Sequence, residues 1–221
     1  MSSSTMIQLL VLAAIAVFLI LKLRSVLGTR TGFEKPPVQP GTPEVANQRG
    51  GFEVIEGGPD RDITDHVPEG SDSAVALAAM KRVEPSFSVT EFLSGARGAY
   101  EMILTAFDRG ELEDVRSFIT PDVFEAFSEA VEARRAQGLT VQSNIIGIRE
   151  LAVNEATFSE ASSIAEITVR FMAEMTTVVK NGAGEIVEGS ETELKRQRDL
   201  WTFQRAMGAP DPNWRLVATG E

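Results

Sequence analysis

The chain has 221 residues, a net charge of −11, no cysteine and one histidine, His66. Disulfides, thiolate metal sites and cysteine nucleophiles are therefore excluded, and a Ser-His-Asp triad or a histidine metal site would depend on His66 alone. The acidic balance also makes nucleic acid a poor partner, because its phosphates would repel the chain.

The first predicted element is a membrane anchor. Residues 7–21 read IQLLVLAAIAVFLIL, with only Gln8 polar. Its apolar surface is supplied by Ile7, Leu9, Leu10, Val11, Leu12, Ile15, Val17, Phe18, Leu19, Ile20 and Leu21. Met6 through Leu23 is 18 residues, or about 27 Å of helix, enough to cross a hydrocarbon core with its flanks snorkelling. A cleaved signal peptide would want basic residues before the run and a small-x-small site after it. Here Ser2, Ser3, Ser4 and Thr5 precede it and KLR follows. With Lys22, Arg24, Arg30 and Lys35 all on the C-terminal side, the positive-inside rule puts the N-terminus outside and the remainder in the cytoplasm. The expected location is a bacterial inner membrane, crossed once, with the lipid bilayer itself as the helix's partner.

Residues 1–28 are thus read as anchor and residues 29–70 as a disordered linker. Six of the ten prolines lie between Pro36 and Pro68, among Gly41, Gly50, Gly51, Gly57 and Gly58, a composition that buries too little apolar surface to offset its ordering entropy. His66 falls in this stretch and reads as a solvated loop residue. Residues 71–221 form the folded domain.

Within the domain, helical periodicity comes first. A short helix is predicted from about Ser73 to Val83. Phe92, Ala96, Tyr100, Ile103, Leu104 and Phe107 then share one face of a long helix ended by Gly110. GELEDVRSFI follows as a shorter segment, and Thr120-Pro121 reads as an N-cap with proline at the first helical position. That helix carries Val123, Phe124, Phe127, Ala130 and Val131 on a stripe and stops at Gly138. From Leu139 the period becomes two. Ala165, Ile167, Val169, Phe171, Ala173 and Met175 alternate with polar residues as a long antiparallel strand buried on one face. KNGAGE at 180–185 is a turn, with Asn181-Gly182 expected at its positive-φ positions. Strands from Glu191 to Met207 and from Trp214 to Thr219 complete an α+β fold, helices packed on a curved antiparallel sheet.

Several segments resemble one family. LRSVLGTRTGFEKPP, FLSGARGAYEMI, the strand pair ITVRF and DLWTFQR, and the ending DPNWRLVATGE are similar to the bacterial, chiefly alphaproteobacterial, Tim-forty-four-like proteins. The mitochondrial namesake is a peripheral adaptor that tethers the import chaperone to the presequence translocase. The resemblance implies a nuclear-transport-factor-two-like cone whose helices and sheet enclose an apolar pocket or groove. It implies an adaptor or scaffold at the cytoplasmic membrane face, serving translocation or membrane-complex assembly through an unidentified membrane or chaperone partner. The alternative is a lipid- or small-apolar-ligand-binding protein using the same pocket. This chain has a transmembrane helix and a linker where the mitochondrial protein has its chaperone-binding region, so tethering is not carried over.

The candidate groove residues are Asp199, Trp201, Phe203 and Arg205, on one face of a strand, with Trp214 placed to plug one end of the cone. On this reading two aromatics between an acid and a base grip an apolar segment. On the plainer one Trp201 and Phe203 are core, and Asp199 and Arg205 are rim charges. Tyr100 is the only tyrosine and reads as a core residue with its hydroxyl at the edge. LKRQR at 194–198 reads as a solvated strand edge. No phosphate-binding loop, cofactor site, metal site or convergent acid–base pair is legible, so the expectation is that this is not an enzyme.

Overall fold

The computed structural model describes residues 60–220. The anchor and nearly all of the predicted linker lie outside these residues. Among the described residues no helix is long and apolar enough to cross a membrane.

Helices come first. α1 (Arg61–Thr64) is capped by Asp60, whose carboxylate accepts from the Asp62 amide at 3.0 Å. α2 (Asp72–Val83) is capped by Ser71, which accepts from Ala74 N–H. α3 (Val89–Arg109) opens on Ser88, whose hydroxyl accepts from Glu91 N–H at 3.3 Å. The spacing Ser88-x-x-Glu91 is that of a capping box. α3 ends where Gly110 turns left-handed at φ +71°, a conformation that glycine adopts without a Cβ clash. A 3₁₀ segment (Leu112–Phe118) leads to α4 (Pro121–Ala136), with Thr120 as N-cap and Pro121 at N1 as expected.

The strands form an antiparallel meander in the order β1 (Thr140–Ser159), β2 (Ile164–Lys180), β3 (Ile186–Ala206) and β4 (Arg215–Gly220). Register shifts at three places between β1 and β2 and at two between β2 and β3 bend the sheet. Ala165, Ile167, Val169, Phe171, Ala173 and Met175 are all buried, so the period-two pattern marked the inner face of β2. The opposite face is a polar ladder. Arg170 pairs with Glu150 at 2.6 Å, Gln204 donates to Glu166 at 2.7 Å, and Thr168 and Thr202 share a hydrogen bond at 2.9 Å. One face packed and one wet is the usual arrangement of an antiparallel sheet under helices.

Three expectations need correction. Residues 60–70 are not linker, because Ile63 and Val67 are buried in the common core and Asp62 ties α1 to α3. The sequence hides this by placing those two apolar residues among Pro59, Pro68, Gly70 and four acids. His66 is consequently half-buried, with Nε2 3.0 Å from the Thr90 hydroxyl. At the β2–β3 turn the positive φ falls on Gly184, at +82°, and not on Asn181-Gly182. Asn181 instead uses its side-chain oxygen to accept from Ala183 and Glu185 amides, closing the turn as an Asx motif. Finally, Trp214 precedes β4 and does not lie on it.

Candidate functional site

The inner face of β3 carries all four strand candidates. Asp199 stands opposite Phe171, Trp201 opposite Val169, Phe203 opposite Ile167 and Arg205 opposite Ala165. Helix α3 covers this face, and the four residues meet different fates beneath it.

Trp201 and Phe203 are core, at 3% and 2% exposure. Asp199 is no rim charge, being buried at 7%. Its carboxylate accepts a hydrogen bond from the Tyr100 hydroxyl at 2.6 Å and another from Gln197 Nε2 at 3.1 Å. Tyr100 is fully buried, stacked on Phe171 at 4.4 Å between ring centroids and packed against Trp201 at 4.7 Å. Its hydroxyl does not reach the domain edge. Burial, and then the Asp199 carboxylate, hold the phenol well above its ordinary range. A tyrosine–acid pair so enclosed has no room for a substrate, and it braces the core.

Arg205 is not a rim charge either. Its side chain is nine-tenths buried and forms an ion pair with Glu84 across the domain. Nη1 donates to the Pro212 carbonyl at 3.2 Å, and the guanidinium lies 5.6 Å from the Trp214 ring centre. The Arg205 hydrogen bond, against the cost of burial, holds the Glu84 carboxyl below its usual range, helped by the Gly208 amide. Arg205 Nε is buried without a partner.

These residues form one end of a groove of about 420 Å³. Phe203 and Phe92 make its floor, in edge contact at 6.0 Å. Trp214 stands against Phe92 at 4.7 Å and Phe87 at 5.9 Å, walling the end where Arg205 lies. The long wall is α3, contributing Glu91, Gly95, Ala96, Ala99 and Met102, and Phe118 of the 3₁₀ segment faces it. Of the predicted candidates, then, Phe203, Arg205 and Trp214 come together in the groove, whereas Asp199 and Trp201 sit beneath it.

The sequence reading missed α3's contribution. Its signal was Gly95 and Gly98 inside a long helix, where each glycine costs about 1 kcal/mol relative to alanine. Both are exposed, and a Cβ at either would meet nothing within 4 Å. Nothing within the domain requires them. Gly95→Ala and Gly98→Ala together should raise the unfolding free energy by about 1–2 kcal/mol. Chemical denaturation checks this, and a destabilised double variant would mean that the glycines serve the fold after all.

The sequence model of the Tim44-like domain matches residues 73–221. The chain belongs to the Tim44-like family. The human mitochondrial import inner membrane translocase subunit TIM44 is 26% identical over 144 residues, covering 64% of this chain and 31% of the relative. The Arabidopsis thaliana translocase subunit TIM44-1 is 24% identical over 162 residues, covering 71% and 34%. The chain thus spans about a third of the length of these curated relatives. Among solved structures, the intermembrane space region of chloroplast protein ARC6 is similar at a TM-score of 0.37 and 10% identity, covering 55% of this chain and 92% of that one. That likeness is too loose to carry an argument. The groove described above lies wholly within the Tim44-like domain, since every lining residue from Glu84 to Trp214 falls inside the matched segment.

Proposed function

We propose that this Tim44-like chain is an adaptor or scaffold, anchored in a bacterial inner membrane by residues 1–28, whose cytoplasmic domain presents the α3 groove to a protein partner in translocation or membrane-complex assembly. The observation that carries the reading is the groove itself. It opens to solvent along a helix wall kept bare by glycine, over a floor of aromatic side chains, and such apolar concavities on a soluble domain mark interaction sites. Relatives named as inner membrane translocase subunits support the same reading. So do the four basic residues following the apolar run, the arrangement that the positive-inside rule associates with a cytoplasmic domain. The groove's size and aromatic floor favour a second reading, a lipid or small apolar ligand, since cavities of about 300–1,000 Å³ suit such molecules. No catalytic role follows, because the polar pair at the groove, Glu84–Arg205, and the Tyr100–Asp199 pair beneath it are each committed to each other.

A photo-reactive residue at Phe118, compared with one at the exposed Val187 of β3, tests this in membranes holding the full chain. The adaptor reading expects a protein adduct from position 118 and none from 187. Gly95→Leu should fill the groove from a position with open space, lowering that adduct at least about tenfold while the melting temperature holds. Adducts with lipid alone would select the second reading. Protein adducts indifferent to Gly95→Leu would place the binding face elsewhere.

A further inference from the structure

Arg205 lies on the inner face of β3, two residues beyond Phe203 of the groove floor, and Glu84 is the residue that ends α2. Their ion pair joins that helix end to the sheet at the walled end of the groove. The loop that leads from β3 to β4 passes the same place and brings Trp214 there.

That loop leaves the core at Met207, which is buried and donates its amide to the Ser163 carbonyl at 2.8 Å. Beyond it, residues 208–214 are tied down through the pair. Gly208 N–H donates to Glu84 at 3.1 Å, and the Pro212 carbonyl accepts from Arg205 Nη1 at 3.2 Å. The loop's other hydrogen bonds among the described residues are local. Ala209 N–H donates to the Ala206 carbonyl at 3.4 Å, and the backbone and side-chain amides of Asn213 donate to Asp211 at 3.0 and 2.9 Å. Trp214 ends the loop with its ring centre 5.6 Å from the same guanidinium, and this is the ring that stands against Phe92 and Phe87.

For stability alone the pair is a poor choice. The Arg205 side chain is 9% exposed and that of Glu84 23%. Two charges taken out of water are offset only where their remaining donors and acceptors are also satisfied. Here both Nη groups serve the loop and Glu84, and Nε is buried without a partner. Apolar residues in place of such a pair often leave a domain as stable or more so. What they cannot do is hold the loop, because they offer Gly208 no acceptor and Pro212 no donor.

We propose that Glu84 and Arg205 are positioning residues of the groove: they pin residues 208–214 so that Trp214 stands as its end wall, at a cost in stability that the fold itself does not require. This rests on the groove being the partner site. The pair decides what the groove accepts by fixing its shape. With the loop released, Trp214 leaves Phe92, the walled end opens and an occupant is held less tightly. Stability given up at a binding site is a common trade in natural proteins.

Two variants of the full chain in membranes test it, read by melting temperature, by iodide quenching of fluorescence and by the adduct from position 118. Of the two tryptophans, Trp201 is buried and shielded from iodide, so quenching reports Trp214. Glu84→Leu alone leaves a buried guanidinium without its carboxylate, and it should lower the melting temperature and raise quenching. Glu84→Leu combined with Arg205→Met removes both charges and the unpartnered Nε. The double variant should melt within a few degrees of wild type or above it. It should nevertheless show the raised quenching of a released Trp214 and lose the protein adduct at least about tenfold. A pair that merely braces the fold would give a double variant melting well below wild type, and that result would overturn the proposal. A Trp214 as shielded as in wild type, or an adduct kept in full, would overturn it too. Melting and quenching need no partner. A wild-type chain without an adduct therefore counts against the adaptor reading, and those two measurements then decide the role of the pair.

Discussion

Tyr100→Phe should lower the unfolding free energy by about 2–3 kcal/mol, although it removes one oxygen and leaves every ring contact in place. The lost hydroxyl is the nearer of two donors to a carboxylate that is 7% exposed. Without it Asp199 retains Gln197 alone, and a buried charge pays for each missing donor. Asp199→Leu, with the same heavy-atom branching, removes the charge and leaves only a neutral hydroxyl unsatisfied, so its cost should be smaller. The double variant should recover part of the loss, because neither polar group then remains. Urea unfolding of the four proteins measures the coupling, and additive effects would refute a shared hydrogen bond. The same pair makes a spectroscopic prediction. Tyr100 is the chain's only tyrosine, so tyrosinate absorbance reports it alone. The phenol's folded pKa is raised, so its contribution is present below the unfolded value near 10 and lost as pH rises above it. The absorbance change should therefore coincide with alkaline unfolding and not precede it.

Asp62→Ala should cost about 2–4 kcal/mol and lower the melting temperature by about 10 °C. This carboxylate accepts from the Val89 amide at 2.8 Å, the Thr90 amide at 3.0 Å, and the hydroxyls of Ser88 at 3.0 Å and Thr90 at 2.8 Å. Lys81 of α2 lies 2.7 Å from it. One side chain of α1 thereby satisfies the free amides at the start of α3 and neutralises a lysine of α2. Burial pushes the carboxyl pKa up, but the bonds from Lys81, Thr90 and Val89 together outweigh it and hold the group well below the usual carboxylate range. With a depressed folded pKa, the contribution is complete above the unfolded value of about 3.9 and is lost as pH falls through the folded one. Wild type should therefore lose stability steeply below about pH 4, and Asp62→Asn should flatten that limb. An acid limb unchanged in Asp62→Asn would assign acid unfolding to other carboxylates.

What the chain's order alone determined was whatever depends on neighbours in sequence. The alternation from Ala165 to Met175 specifies an inner strand face, because successive side chains of a strand point to opposite sides. Thr120-Pro121 fixes a helix start and Gly110 a helix end, each through the dihedral preference of one residue. The ending DPNWRLVATGE marked the family. The tertiary structure decided everything that hangs on distant partners. Asp199 and Arg205 are indistinguishable from rim charges until Tyr100, 99 residues away, and Glu84, 121 residues away, are seen to meet them. Ile63 and Val67 look like linker until the core closes around them, since a short stretch rich in acids, glycine and proline carries too weak a pattern to declare its burial. The bare face of α3 could be read only once its other side was known to be packed, because periodicity shows which residues share a face and only packing shows which face is left open.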